Sequence, residues 1–156
     1  MKALTFLAII SILFSCNSNP ENKSSETDTL NSPIQSGPVD ALDTAGGKGV
    51  FFAELKDGQE VKSPFIVKMK VEGMEVEKAG PINGLKGHHH IVVDGTAVPE
   101  TEPIILDDTH LHYGLGQTEA ELKLAPGAHT LTLQFGNGVH ASYGPRWSRT
   151  ISVMVK

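Results

Sequence analysis

The sequence predicts an all-β domain, an immunoglobulin-like antiparallel β-sandwich of about seven short strands. Three observations predict it. Apolar residues alternate with polar ones along several short runs, the period of a half-buried strand. Sixteen glycines and nine prolines punctuate those runs while aromatic residues make up only 6% of the chain, which suits short strands joined by many turns. No stretch repeats apolar residues convincingly at helical spacing. The cysteine pair of antibody domains is missing, since the chain has one cysteine, so no true immunoglobulin signature is implied.

The first strand is expected at Val50-Phe51-Phe52-Ala53, followed by a turn at Lys56-Asp57-Gly58. Phe65 to Val71 is the clearest strand: Phe65, Val67, Met69 and Val71 point one way, and Lys68, Lys70 and Glu72 point to water. Gly73 ends it. A loop from Lys78 to Lys86, with glycine, proline and asparagine, leads into Gly87-His88-His89-His90-Ile91-Val92-Val93-Asp94, which reads as a buried strand. After a connection through Pro99 and Pro103, His110-Leu111-His112 is a loop or short strand. Glu119 to Leu124 and Ala128 to Phe135 are expected to form a hairpin about Ala125-Pro126-Gly127. Its second arm sets His129, Leu131, Leu133 and Phe135 against Thr130, Thr132 and Gln134. A glycine-rich excursion from Gly136 to Trp147 precedes a last strand with Ile151, Val153 and Val155 inward.

The N-terminal third reads differently. Lys2, an apolar run from Leu4 to Phe14, and then Leu13-Phe14-Ser15-Cys16 make a secretory signal. The run is well short of the roughly 20 residues that span a bilayer. Its end resembles the lipobox of bacterial lipoproteins, which implies that Cys16 is lipid-modified and becomes the first mature residue. The expected organisation is a signal peptide over 1–15, a lipid-anchored flexible tether over 16–47 and a histidine-rich domain over 48–156. The tether is rich in Ser, Asn, Thr, Glu, Pro and Gly and buries too little surface to offset its ordering entropy. The protein is expected to be exported and held at a membrane of the bacterial cell envelope through Cys16, periplasm-facing or on the outer surface.

Charge narrows the partners. A formal net charge of −5 with scattered lysines excludes a nucleic-acid binder, which needs clustered Lys and Arg. Nucleophile-elbow, zinc-protease and phosphate-loop motifs are missing from the sequence, so no catalytic residue is assigned and an enzyme is the less favoured reading.

All seven histidines lie between His88 and His140. Residues i and i+2 of a strand share a face with Cα atoms roughly 6.5 to 7 Å apart, so His88 and His90 can aim at one ion while His89 points to the other face. His110 and His112 repeat that spacing. The two pairs, facing one another across a cleft, would supply up to four neutral imidazoles, a donor set suited to zinc, copper or nickel, with copper or zinc favoured, and too rich in nitrogen for calcium or magnesium. His89, His140 and Met74 are secondary candidates for the same site. Asp94, Asp108 and Glu119 are candidate acceptors that would fix ring tautomers, and Tyr113, Gln117, Arg146 and Trp147 are candidate pocket residues. The favoured function is a metal-binding envelope domain for sequestration, delivery or sensing. The alternative is a module that binds an acidic ligand, a sugar or a partner protein through histidine hydrogen bonds.

Several motifs in one order also resemble a known family. Val71-Glu72-Gly73-Met74, Gly87-His88-His89-His90, His110-x-His112-x-Gly114-x-Gly116-Gln117-Thr118-Glu119 and Pro126-Gly127-x-His129-Thr130-Leu131 resemble the DUF4399 family, a bacterial exported-domain family of unknown function, over about residues 49 to 155. The family continues with a His-x-x-His type segment, where this chain has His140 and Tyr143. The resemblance implies that the histidine motifs belong together and implies no activity.

Overall fold

The computed structural model of the protein describes residues 47–156. The signal peptide, Cys16 and nearly all of the tether expected from the sequence lie outside the described residues. In chain order the strands are β1 (Gly49–Phe52), β2 (Gln59–Val61), β3 (Phe65–Glu72), β4 (Glu75–Val76), β5 (Lys86–Val93), β6 (His110–His112), β7 (Glu119–Leu122), β8 (Gly127–Gly136) and β9 (Ser148–Val155). One 3-10 turn, Pro145–Trp147, precedes β9. The fold is all-β and sandwich-like.

The smaller sheet has the order β1-β3-β7, and the larger runs β2-β9-β8-β5, with β4 and β6 both paired to β5. Alternation decides what each strand gives to the core. Val67 and Met69 of β3 and Leu122 of β7 are buried, as are Leu131, Leu133 and Phe135 of β8, Ile91 of β5 and Ile151, Val153 and Val155 of β9. Each such side chain contributes roughly 1.5 to 3 kcal/mol by leaving water.

The structure departs from the sequence expectation in three ways. The expected hairpin does not form: β7 pairs with β3 and β8 with β5 and β9, so Ala125-Pro126-Gly127 carries the chain from one sheet to the other. Leu124 N donates to Ser63 Oγ at 3.2 Å, which holds the end of β7 to the start of β3. The pairing is also not purely antiparallel, because β2 runs parallel to β9 and β4 parallel to β5. Finally, β2 and β4 are extra strands, of three and two residues, too short to show an alternation.

The larger sheet is buried on both faces. Thr132 and Gln134, on the face of β8 away from Leu131 and Leu133, are fully buried. Two connecting segments cover them. Gln134 Oε1 accepts Val98 N at 3.1 Å and its Nε2 donates to Gly144 O at 3.2 Å, while Thr132 Oγ1 donates to Gly95 O at 2.9 Å. The segments also pair with each other: Thr101 N donates to Ser142 O, Ser142 N to Glu102 O and Ile104 N to His140 O. This polar layer outside the sandwich core receives the face of β5 that carries His88 and His90.

Candidate metal centre

Register places the histidines. His90 lies opposite Gln134 on β8 and opposite His112 on β6, and His88 lies opposite Gly136. Directly opposed residues of paired strands share a face, so His88, His90 and His112 project together into the outer layer. His140 comes from the covering segment. There Asn137 Oδ1 accepts the backbone N–H groups of Val139 and Ala141, each at 3.0 Å, and closes a tight turn. His140 takes a left-handed backbone conformation, φ 68°, which costs a non-glycine residue on the order of 1 kcal/mol. That turn brings its ring back over the end of β8.

One nitrogen from each of His88, His90, His112 and His140 falls in a group whose members all lie within 4.8 Å of one another. His112 Nε2 and His140 Nε2 lie 3.0 Å apart, one donating its N–H and the other accepting. A tetrahedral ion with metal–nitrogen bonds of about 2.0 to 2.1 Å sets its ligands about 3.3 Å apart, so small ring movements would fit the group around one ion. His88 and His90 are fully buried, and no ring nitrogen of either has a hydrogen-bond partner among the described residues. A buried polar group left unpaired costs roughly 1 to 3 kcal/mol. One such nitrogen from each of these two rings, converging with one from His112 and one from His140, matches what a metal ion would satisfy.

Burial sets the protonation state. It pulls the His88 imidazole down to about 4, with the neighbouring His112 and His140 adding to the effect. His90 is driven far down by burial, with His88, His112 and His140 reinforcing it. Burial also lowers His112. These rings are neutral at pH 7, the form that ligates metals.

The remaining candidates fall elsewhere. His110 is not in the group: it lies opposite Val92, and its Nδ1 sits 2.9 Å from Asp107 Oδ1. His90 and His112 therefore meet as neighbours across paired strands, in place of two His-x-His pairs facing across a cleft, and His140 stands where His110 was expected. His89 projects to the opposite face, as alternation requires, with its ring 5.0 Å from Phe135 in the core. Met74 packs against the hydrophobic core. Asp94 holds His129, with Nδ1 and Oδ2 2.8 Å apart, and Asp107 rather than Asp108 holds His110. Glu119 faces Lys68 in the register of β7 and β3. Trp147 packs on the core, Arg146 is exposed, and Gln117 accepts Leu115 N within its own loop. Tyr143 donates to Lys86 O at 2.8 Å and so fixes the start of β5.

Two glycines make room for the rings. A Cβ on Gly114 would lie 2.1 Å from His112 Nε2, and one on Gly136 would lie 3.1 Å from His90 Cε1 and 2.8 Å from Ile104 Cδ1. Sequence reasoning gave His140 only a secondary place. Its signal was Gly136-Asn137-Gly138, a chain reversal directly after β8 that returns the next residues over that strand.

No curated protein matches the chain, and no solved structure does. Residues 67–156 match the family model described as Domain of unknown function (DUF4399), and with more than half of its length matched the chain belongs to that family.

Proposed function

We propose that this protein is a lipid-anchored cell-envelope domain that binds one zinc or copper ion through His88, His90, His112 and His140. The observation that carries this reading is the convergence of unpaired, fully buried ring nitrogens of His88 and His90 on those of His112 and His140. An all-imidazole donor set suits zinc or copper, whereas calcium and magnesium take oxygen ligands. The neutral rings also favour a metal over an acidic ligand, because His88 and His90 carry no positive charge near pH 7. The export signal and the lipobox-like Cys16 support an envelope location, where such a site would sequester, deliver or sense the ion.

Metal analysis of protein purified without a histidine tag tests this directly. About one equivalent of zinc or copper is expected, or submicromolar uptake of added metal that the His88→Ala/His90→Ala double variant loses. Absence of both overturns the reading.

A further inference from the structure

We infer that the groove beside β6 is the route by which the metal ion enters the four-histidine site, with His110, Asp107 and Glu121 capturing it on the way. This inference rests on the metal-binding reading above. His88 and His90 are fully buried, so an ion must reach them past the partly exposed members of the group. His112 is one of these. It also lines an open groove with Leu106, Asp107, His110, Tyr113 and Glu121. The groove therefore sets solvent against one residue of the four-histidine group.

Its donors are set up to meet a cation. A carboxylate only accepts hydrogen bonds, so His110 Nδ1–H donates to Asp107 Oδ1 at 2.9 Å, which leaves Nε2 as the ring nitrogen that could meet a cation. Thr109 N, Thr109 Oγ1, His110 N and His110 Nδ1 all converge on Asp107 Oδ1. The His110 ring and Thr109 hold the Asp107 carboxyl well below the usual carboxylate range, so it remains charged. Glu121 adds a second exposed carboxylate. His110 precedes His112 by two residues on the same strand face, which makes a ligand-to-ligand step along β6 short. Negative charge focused in a groove raises the local concentration of cations and their rate of arrival.

Capture of Zn2+ by the full chain, followed by stopped-flow against a chromophoric chelator, tests the route. The His110→Ala and Glu121→Gln variants are each expected to slow capture by roughly three- to tenfold. Release should slow in step, leaving the equilibrium dissociation constant within about threefold, because a route alters both rates and not the equilibrium. Glu121→Gln changes an exposed position and keeps the test valid if His110→Ala perturbs folding. Unchanged capture rates in variants that bind Zn2+ normally overturn the route and leave the site intact. A His110→Ala variant that loses affinity as His112→Ala does also overturns it, since His110 would then be a ligand. Failure of the parent protein to bind overturns the site and the route together.

Discussion

His140 and His112, 28 positions apart in the chain, meet Nε2 to Nε2 at 3.0 Å. The contact joins an edge strand of the larger sheet to the segment that covers it, and it completes a group in which His88 and His90 alone would supply only two imidazoles. If that group binds an ion, His140→Ala should weaken zinc or copper by about a hundredfold or more, since even partners behind the ligands are worth 10- to 100-fold. His110→Ala should leave equilibrium affinity nearly unchanged. Competition titration against a chelator of known affinity separates the two. Equal losses would place His110 among the ligands.

What was legible in the sequence followed from alternation. It separated His89 from His88 and His90, and it placed Leu131, Leu133 and Phe135 on one face of β8. Pairing was less legible, because which strand meets which depends on long-range packing. Ala125-Pro126-Gly127 has the chemistry of a hairpin turn, yet the hydrogen bond from Leu124 to Ser63 ties β7 to the other sheet. His110 and His112 look equivalent by spacing. They are distinguished by register, which sets His112 against His90 and His110 against Val92, and by the Asp107-Thr109 turn that holds the His110 ring.

His89 offers a test of the division between core and site. Its ring is fully buried against Phe135, and neither nitrogen has a partner among the described residues. Replacing an unpaired buried polar group by an apolar one of similar size removes a desolvation cost. His89→Leu should therefore raise stability by roughly 1 to 2 kcal/mol in urea unfolding and leave metal affinity unchanged. A loss of affinity comparable to that of His90→Ala would put His89 in the site.

The same burial fixes how metal-free protein responds to acid. Burial holds His88 and His89 down to about 4 in the folded state, against about 6.5 when unfolded. Between those values the unfolded chain binds more protons, so stability falls as pH drops, by up to about 1.4 kcal/mol per pH unit for each such histidine. His129 has the opposite sign. Its hydrogen bond to Asp94 raises it, so its contribution is present below 6.5 and fades as pH rises through the raised value. The lowered carboxyls of Asp94 and Asp107 lose their contributions only below the ordinary carboxylate range. The urea midpoint of metal-free protein should thus drop steeply from pH 6.5 to 5. A flat midpoint over that interval would contradict the burial of these rings.

Gly114 gives the sharpest geometric prediction, because a single methyl group would occupy the space of a proposed ligand. A Cβ there would lie 2.1 Å from His112 Nε2 and 2.2 Å from Cε1, far inside van der Waals contact. His112 sits on a three-residue edge strand and is only partly buried, so its ring can swing toward solvent while β5, β8 and β9 keep the core packed. Gly114→Ala should then cost at least about tenfold in metal affinity, with a near-native circular dichroism spectrum and a small change in urea midpoint. Gly80→Ala is the matched control, since the nearest atom to its Cβ would be Lys78 O at 4.0 Å. Tight binding by the Gly114→Ala variant would mean that His112 ligates from another rotamer or does not ligate. A ring-proton spectrum of His112 with and without Zn2+ decides between those two.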